Sequence, residues 1–256
     1  MIHDIQLIHP TKCAGTTISR ELLKLKGFSD KKIHLYSGYM FNKFFQNKIT
    51  LFYWIIHSRS IIIWPIYILF YFICFYFKLR NLAYDNPYGL TVSKGSIQHF
   101  TYKQWEKINP ASTVYVGVVT HPQHRIVSSF YFLGYNRHYT FLQFLEKIQD
   151  GSLISSIRFI GFQEIIKQHL RPMYDYITNE NGGDNMQTIL KRETLNNNWK
   201  EFCEKHKLKY SCLDNINKTH ANTDWKILYK KYPKAVQIVC NLYKKDFEYF
   251  KYKVIN

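Results

Sequence analysis

No two of the five cysteines are spaced as a CxxC pair, and their number is odd. Cys13, Cys74, Cys203, Cys212 and Cys240 are scattered, which excludes a disulfide framework and a zinc ribbon and fits a reducing compartment. No His, Cys and carboxylate cluster has ligand spacing, so no metal is expected. No Gly/Ser-rich linker and no internal repeat divides the 256 residues, a length that suits one large domain better than two. Acidic residues are few, 18 against 35 Lys and Arg, which leaves a net charge of +17. That charge favours anionic partners, whether nucleotides, nucleic acid, acidic glycans or lipid headgroups. No recognition motif supports nucleic acid among them. A charged n-region followed by an apolar h-region is missing too, because Met1 runs almost directly into the apolar residues 5–8. A secretory signal is therefore not expected, and the cytoplasm is the expected location.

Against these absences stands a chain rich in alternating strands and helices. Residues 5–9 read as a strand, 10–17 as a short loop, and 18–26 as an amphipathic helix ended by Gly27. Residues 114–119, VYVGVV, form the continuous apolar run of a strand buried in a parallel sheet. A helix follows from Arg125. Further helices are expected over 97–108, 141–148, 196–206 and 234–250, and a strand over 186–190. This pattern predicts a three-layer α/β domain with a central parallel sheet and a mostly helical C-terminal half. Residues 61–77 are apolar or aromatic throughout apart from Pro65, and they sit in an apolar helical insertion at about 45–80. A lone span there would place residue 12 and residue 128 on opposite sides of a bilayer. A buried helix or a helix dipping into one leaflet are the alternatives. Arg59, Lys78 and Arg80 flank the run and suit anionic headgroups, so contact with the inner face of a membrane is expected.

The loop after the first strand is an anion site by construction. The first amides of a helix have no intrahelical partner, and the helix dipole favours negative charge beside them. Ala14 and Gly15 leave room for a phosphate to approach the backbone, Thr16 and Thr17 add hydroxyl donors, and Lys12 adds a charge that can follow a leaving oxygen. The GxxxxGK[ST] spacing of a Walker A loop is absent, because the lysine precedes the glycine.

Residues 9–17, HPTKCAGTT, resemble the 5′-phosphosulfate loop of the sulfotransferases that use PAPS (3′-phosphoadenosine-5′-phosphosulfate), commonly written HxPKTxGT[ST]. The similarity is greatest to carbohydrate sulfotransferases of the type-2 group. A second segment, VTHPQHRIVSSFY at 119–131, resembles the family's VRDPxxRxxSxY, with Pro122, Arg125, Ser128 and the aromatic pair in register. Thr120 stands where the family has its first Arg, and His121 where it has the acid. Weaker echoes are collinear along the chain: HLRPMYDYI at 169–177, ILKRETL at 189–195, the loop around Asn217, and YKKDFEYF at 243–250.

The resemblance implies a P-loop-like fold and transfer of a sulfuryl group from PAPS to a hydroxyl of a glycan or glycolipid. It implies that Lys12, Cys13, Ala14, Gly15, Thr16 and Thr17 hold the 5′-phosphosulfate, and that Ser128, with Thr120 and Arg125 in the same segment, faces the 3′-phosphate. His99, in the segment QHFT at 98–101, is the expected general base, with His169 and His57 as the other candidates. Two other readings stay open: a nucleotide kinase of the P-loop kind, and an inactive membrane-associated nucleotide-binding protein that keeps the fold.

Overall fold

The computed structural model describes residues 5–25, 90–91, 95–96, 99–107, 111–157, 160–179, 181–184, 186–213 and 224–256. The apolar run at 61–77, His57 and the loop at Asn217 lie outside the described residues. The protein is a mixed α/β fold built on a small parallel sheet.

Three strands form that sheet: β1 (Ile5–Ile8), β4 (Val114–Val119) and β5 (Met186–Lys191), in spatial order β1-β4-β5 and all parallel. Ile8 lies beside Gly117 and Val119 beside Lys191. β4 is the central strand, and its run of valines is buried from Tyr115 to Val119, as a strand covered on both faces requires. Two two-residue strands, β2 (Leu90–Thr91) and β3 (Gly95–Ser96), pair antiparallel in a region expected to be loop.

Each sheet strand hands over to a helix: β1 to α1 (Gly15–Leu25), β4 to α3 (Pro122–Phe132), and β5 to α8 (Leu195–Lys205). The short α2 (Tyr102–Glu106) packs Phe100 and Trp105 against each other, with Gln104 accepting a hydrogen bond from the Thr101 amide at 2.8 Å. The remaining described helices are α4 (Phe141–Gln149), α5 (Ser152–Ser155), α6 (Ile160–Leu170), α7 (Tyr174–Ile177), α9 (Lys226–Lys231), α10 (Lys234–Leu242) and α11 (Lys244–Phe250). Two apolar clusters hold the whole. One surrounds the sheet with Ile8, Val116, Val118, Tyr176 and Trp199 at its centre. The other joins α3, α4 and α10 through Phe130, Phe144, Leu145 and Val239.

The single helix expected over 234–250 is two helices. It breaks at Tyr243, whose backbone leaves the helical region at φ −120°. The break turns Asp246 into the core, where its carboxylate accepts the Met173 and Tyr174 amides at 2.9 and 2.7 Å and caps α7. A straight helix would leave those two amides without that partner.

Candidate active site

In an open α/β sheet, ligands bind beyond the carboxyl ends of the strands. Here the three carboxyl ends deliver His9 to Thr17 from β1, Thr120 to Ser128 from β4, and Arg192 and Glu193 from β5. The register of Val119 with Lys191 sets the β4 and β5 ends side by side.

The loop after β1 turns tightly enough to hold two non-glycine residues in the left-handed region, Lys12 at φ 66° and Ala14 at φ 62°. Each such conformation costs roughly 1–2 kcal/mol, and it persists here because the surroundings fix it. Arg125 is one such restraint. Its Nε donates to the Thr11 carbonyl at 3.0 Å, and its Nη2 reaches the His169 carbonyl at 3.3 Å. The Thr17 amide closes the turn onto the Ala14 carbonyl at 3.1 Å. Gly15 is required because a Cβ there would lie 2.1 Å from the His9 ring. No acidic residue occupies the first turn of α1, so no carboxylate from that turn offsets the positive end of the helix.

Thr16 is half-buried at this helix start and Thr17 is buried. Cys13 departs from the expected ligand role. Its side chain is fully buried, with Sγ 3.5 Å from Met173 Sδ, and burial pushes its thiol up to about 12. Only its backbone can face a ligand.

Lys12 has no carboxylate partner among the described residues. Its Nζ lies 4.1 Å from the centre of the Phe132 ring, a cation–π contact that positions a charge without neutralising it. Burial, and then the nearby charge of Arg192, bring its pKa down to about 8. Around it stand three histidines. His9 and His99 meet edge to face at 4.7 Å, His169 lies 6.4 Å from His99, and Phe132 stacks on His169 at 4.9 Å.

His99 Nδ1 is 3.1 Å from the His9 carbonyl. A carbonyl only accepts, so the His99 hydrogen sits on Nδ1 and Nε2 carries the lone pair. Burial, with Arg125 and Lys12 adding to it, lowers His99 to about 4 against the opposing effect of that carbonyl bond. Burial likewise holds His9 and His169 well below the ordinary histidine value. All three rings are neutral near pH 7. Among the described residues no group of three His, Cys, Asp or Glu side chains is arranged to hold a metal ion.

The end of β4 differs from what its segment predicts. Thr120 is fully buried, and its hydroxyl donates to Glu193 Oε1 at 2.8 Å. The same oxygen accepts the His121 amide at 2.8 Å, and Glu193 Oε2 accepts the Tyr252 hydroxyl at 2.9 Å. A carboxylate from the end of β5 therefore already sits at the N-terminus of α3. Burial opposes its charge, but these hydrogen bonds outweigh burial and lower its pKa. Thr120 is a buried support for that carboxylate rather than an open ligand. Arg125 faces inward, 1% exposed, and its Nε and Nη2 are spent on backbone carbonyls. It braces the β1 loop instead of presenting a free guanidinium. Ser128 is buried on α3, 8% exposed, and its hydroxyl makes no hydrogen bond among the described residues.

Sequence reasoning passed over Phe132, Arg192 and His124 as site residues. Arg192 immediately follows β5, and its Nη1 lies 2.7 and 2.8 Å from the two ring nitrogens of His124. The signal available was the position of Arg192 at a strand's carboxyl end. Among the described residues no helix is long and apolar enough to cross a membrane. No family model matches the sequence, and no curated protein or solved structure matches it either.

Proposed function

We propose that the protein is a PAPS-dependent sulfotransferase with a P-loop-like core, acting on a hydroxyl of a glycan or glycolipid. The observation that carries this reading is the pairing of an unneutralised Lys12 at the start of α1 with His99, whose Nε2 lone pair is left available by the bond to the His9 carbonyl. The resemblance of residues 9–17 to a phosphosulfate loop supports the donor.

In this mechanism the acceptor hydroxyl gives its proton to His99 Nε2 as its oxygen bonds to sulfur. The bond from sulfur to the bridging oxygen breaks, and the bisphosphate nucleotide leaves with the electron pair while Lys12 stabilises the oxygen that departs. Such in-line transfer depends on placement and electrostatics more than on covalent help from the protein. A negative donor beside Lys12 and His99 also raises the basicity of His99, so donor binding prepares the base.

Binding separates this reading from a nucleotide kinase. The sulfotransferase reading expects adenosine 3′,5′-bisphosphate to bind and ATP to bind poorly, and the reverse order would favour the kinase. Thr120 and its contact with Glu193 favour one second reading, a nucleotide-binding protein without transfer. That protein would bind the bisphosphate and move no label from PAPS to any acceptor. Peripheral contact with an anionic membrane through residues 61–77 is part of the proposal, and flotation with anionic vesicles tests it.

A further inference from the structure

The sulfotransferase reading, on which this inference rests, demands a cation beside Ser128 for the second phosphate of the donor. The β4 segment does not supply it: the position where the family has its first Arg holds the neutral Thr120, which is bonded to Glu193, and Arg125 is bound to carbonyls. Another cation stands at the same strand ends. Arg192 is exposed and has no carboxylate partner among the described residues, since its neighbour Glu193 is taken up by Thr120, the His121 amide and Tyr252.

Arg192 is also close enough to Lys12 for its charge to lower the lysine's pKa. Two like charges near enough to interact are unfavourable until an anion joins them. The third part is His124. It touches the Arg192 guanidinium and lies one helical turn before Ser128, so His124 and Ser128 share a face of α3.

We propose that Arg192, seated on His124 and acting with Ser128, binds the 3′-phosphate of the nucleotide, replacing from the end of β5 the arginine that the end of β4 lacks. A planar guanidinium suits a phosphate dianion, because it can give two parallel hydrogen bonds. The cation has moved from one strand end to its neighbour in the sheet, and the phosphate position is kept.

Calorimetric titration with adenosine 3′,5′-bisphosphate and with adenosine 5′-monophosphate isolates the 3′-phosphate. The wild-type protein should prefer the bisphosphate. Arg192→Gln should remove about ten- to hundred-fold of bisphosphate affinity and change monophosphate affinity by less than about twofold, in line with one charged hydrogen-bonded contact. Arg192→Lys should recover part of the loss. Arg192 is exposed, so a thermal melt close to wild type is expected and confirms that the variant is folded. If Arg192→Gln keeps the wild-type preference, or if the wild type shows no preference, the assignment of Arg192 is overturned while the nucleotide site stands. If the wild type binds neither nucleotide, the sulfotransferase reading falls and takes this inference with it.

Discussion

The loop after β1 and the loop after β4 begin alike, each leaving a parallel strand and starting a helix, yet they end in opposite electrostatic states. At α1 the first turn carries no acid, and Lys12 stands beside it against the Phe132 ring, with no carboxylate partner among the described residues. At α3 the corresponding position is filled from within, by Glu193 on the His121 amide. One helix start is open to an anion and the other is closed by one. The difference teaches that a strand–loop–helix unit is a potential anion site only, and that a carboxylate arriving from elsewhere in the chain decides whether it is a site at all.

The sharpest way to break this comparison is to remove the base beside the open loop. His99→Ala should lower sulfuryl transfer by about 10²–10⁴-fold while bisphosphate binding, measured by calorimetry, stays near wild type. Full activity in that variant would move the proton transfer to another group. At the closed loop the effect should fall on stability instead. Thr120→Arg puts a charged side chain into a fully buried position and displaces a hydroxyl from Glu193, so a loss of about 3 kcal/mol or more is expected in denaturant unfolding. A stable Thr120→Arg protein with tightened bisphosphate binding would show that this loop is open after all.

The pH dependence separates the two groups of the open loop. Lys12, brought to about 8 by burial and Arg192, is charged below that value and loses its charge as pH rises through it. The kcat/KM for the donor should therefore decline above about pH 8 instead of holding beyond 10, the ordinary lysine range. His99, lowered to about 4, is already neutral at pH 6.5, so no acid limb should appear there.

Stability has its own window. His9, His99 and His169 stay neutral in the fold, whereas the unfolded chain protonates them below about 6.5. Unfolding then takes up protons, and stability falls as pH drops from about 6.5, by up to about 1.4 kcal/mol per pH unit for each ring. Thermal melts from pH 8 to 5 check the sign. The smallest effect belongs to the strained turn: Ala14→Gly relieves a left-handed alanine at the cost of a more flexible unfolded chain, for a net gain of roughly 0.5–1 kcal/mol.

Much of the open loop could be read in the sequence, because its chemistry is local. The strand at 5–8, the turn and the start of α1 lie within one short run, and the continuous valines of β4 announced a buried parallel strand. Lys12 and His99 were legible as residues but not as neighbours, since the fold alone brings position 99 against the carbonyl of position 9. The closed loop could not be read. Thr120 and Glu193 meet across 73 residues, and Arg125 reaches the Thr11 carbonyl across 114. A backbone carbonyl has no sequence signature, so nothing in the segment 119–131 shows that its arginine is already occupied. The break at Tyr243 escaped for a similar reason, since it follows from the amides that Asp246 must reach.

The central claim is that Lys12 sits in an open anion loop and drives sulfuryl transfer. The measurement that tests it most directly follows sulfur label from PAPS into a panel of glycan and glycolipid acceptors, with the wild type and Lys12→Ala side by side. Transfer by the wild type to at least one acceptor, reduced about 10²-fold or more in a Lys12→Ala protein of unchanged melting temperature, is the predicted result. Equal transfer rates in the two proteins would contradict the account.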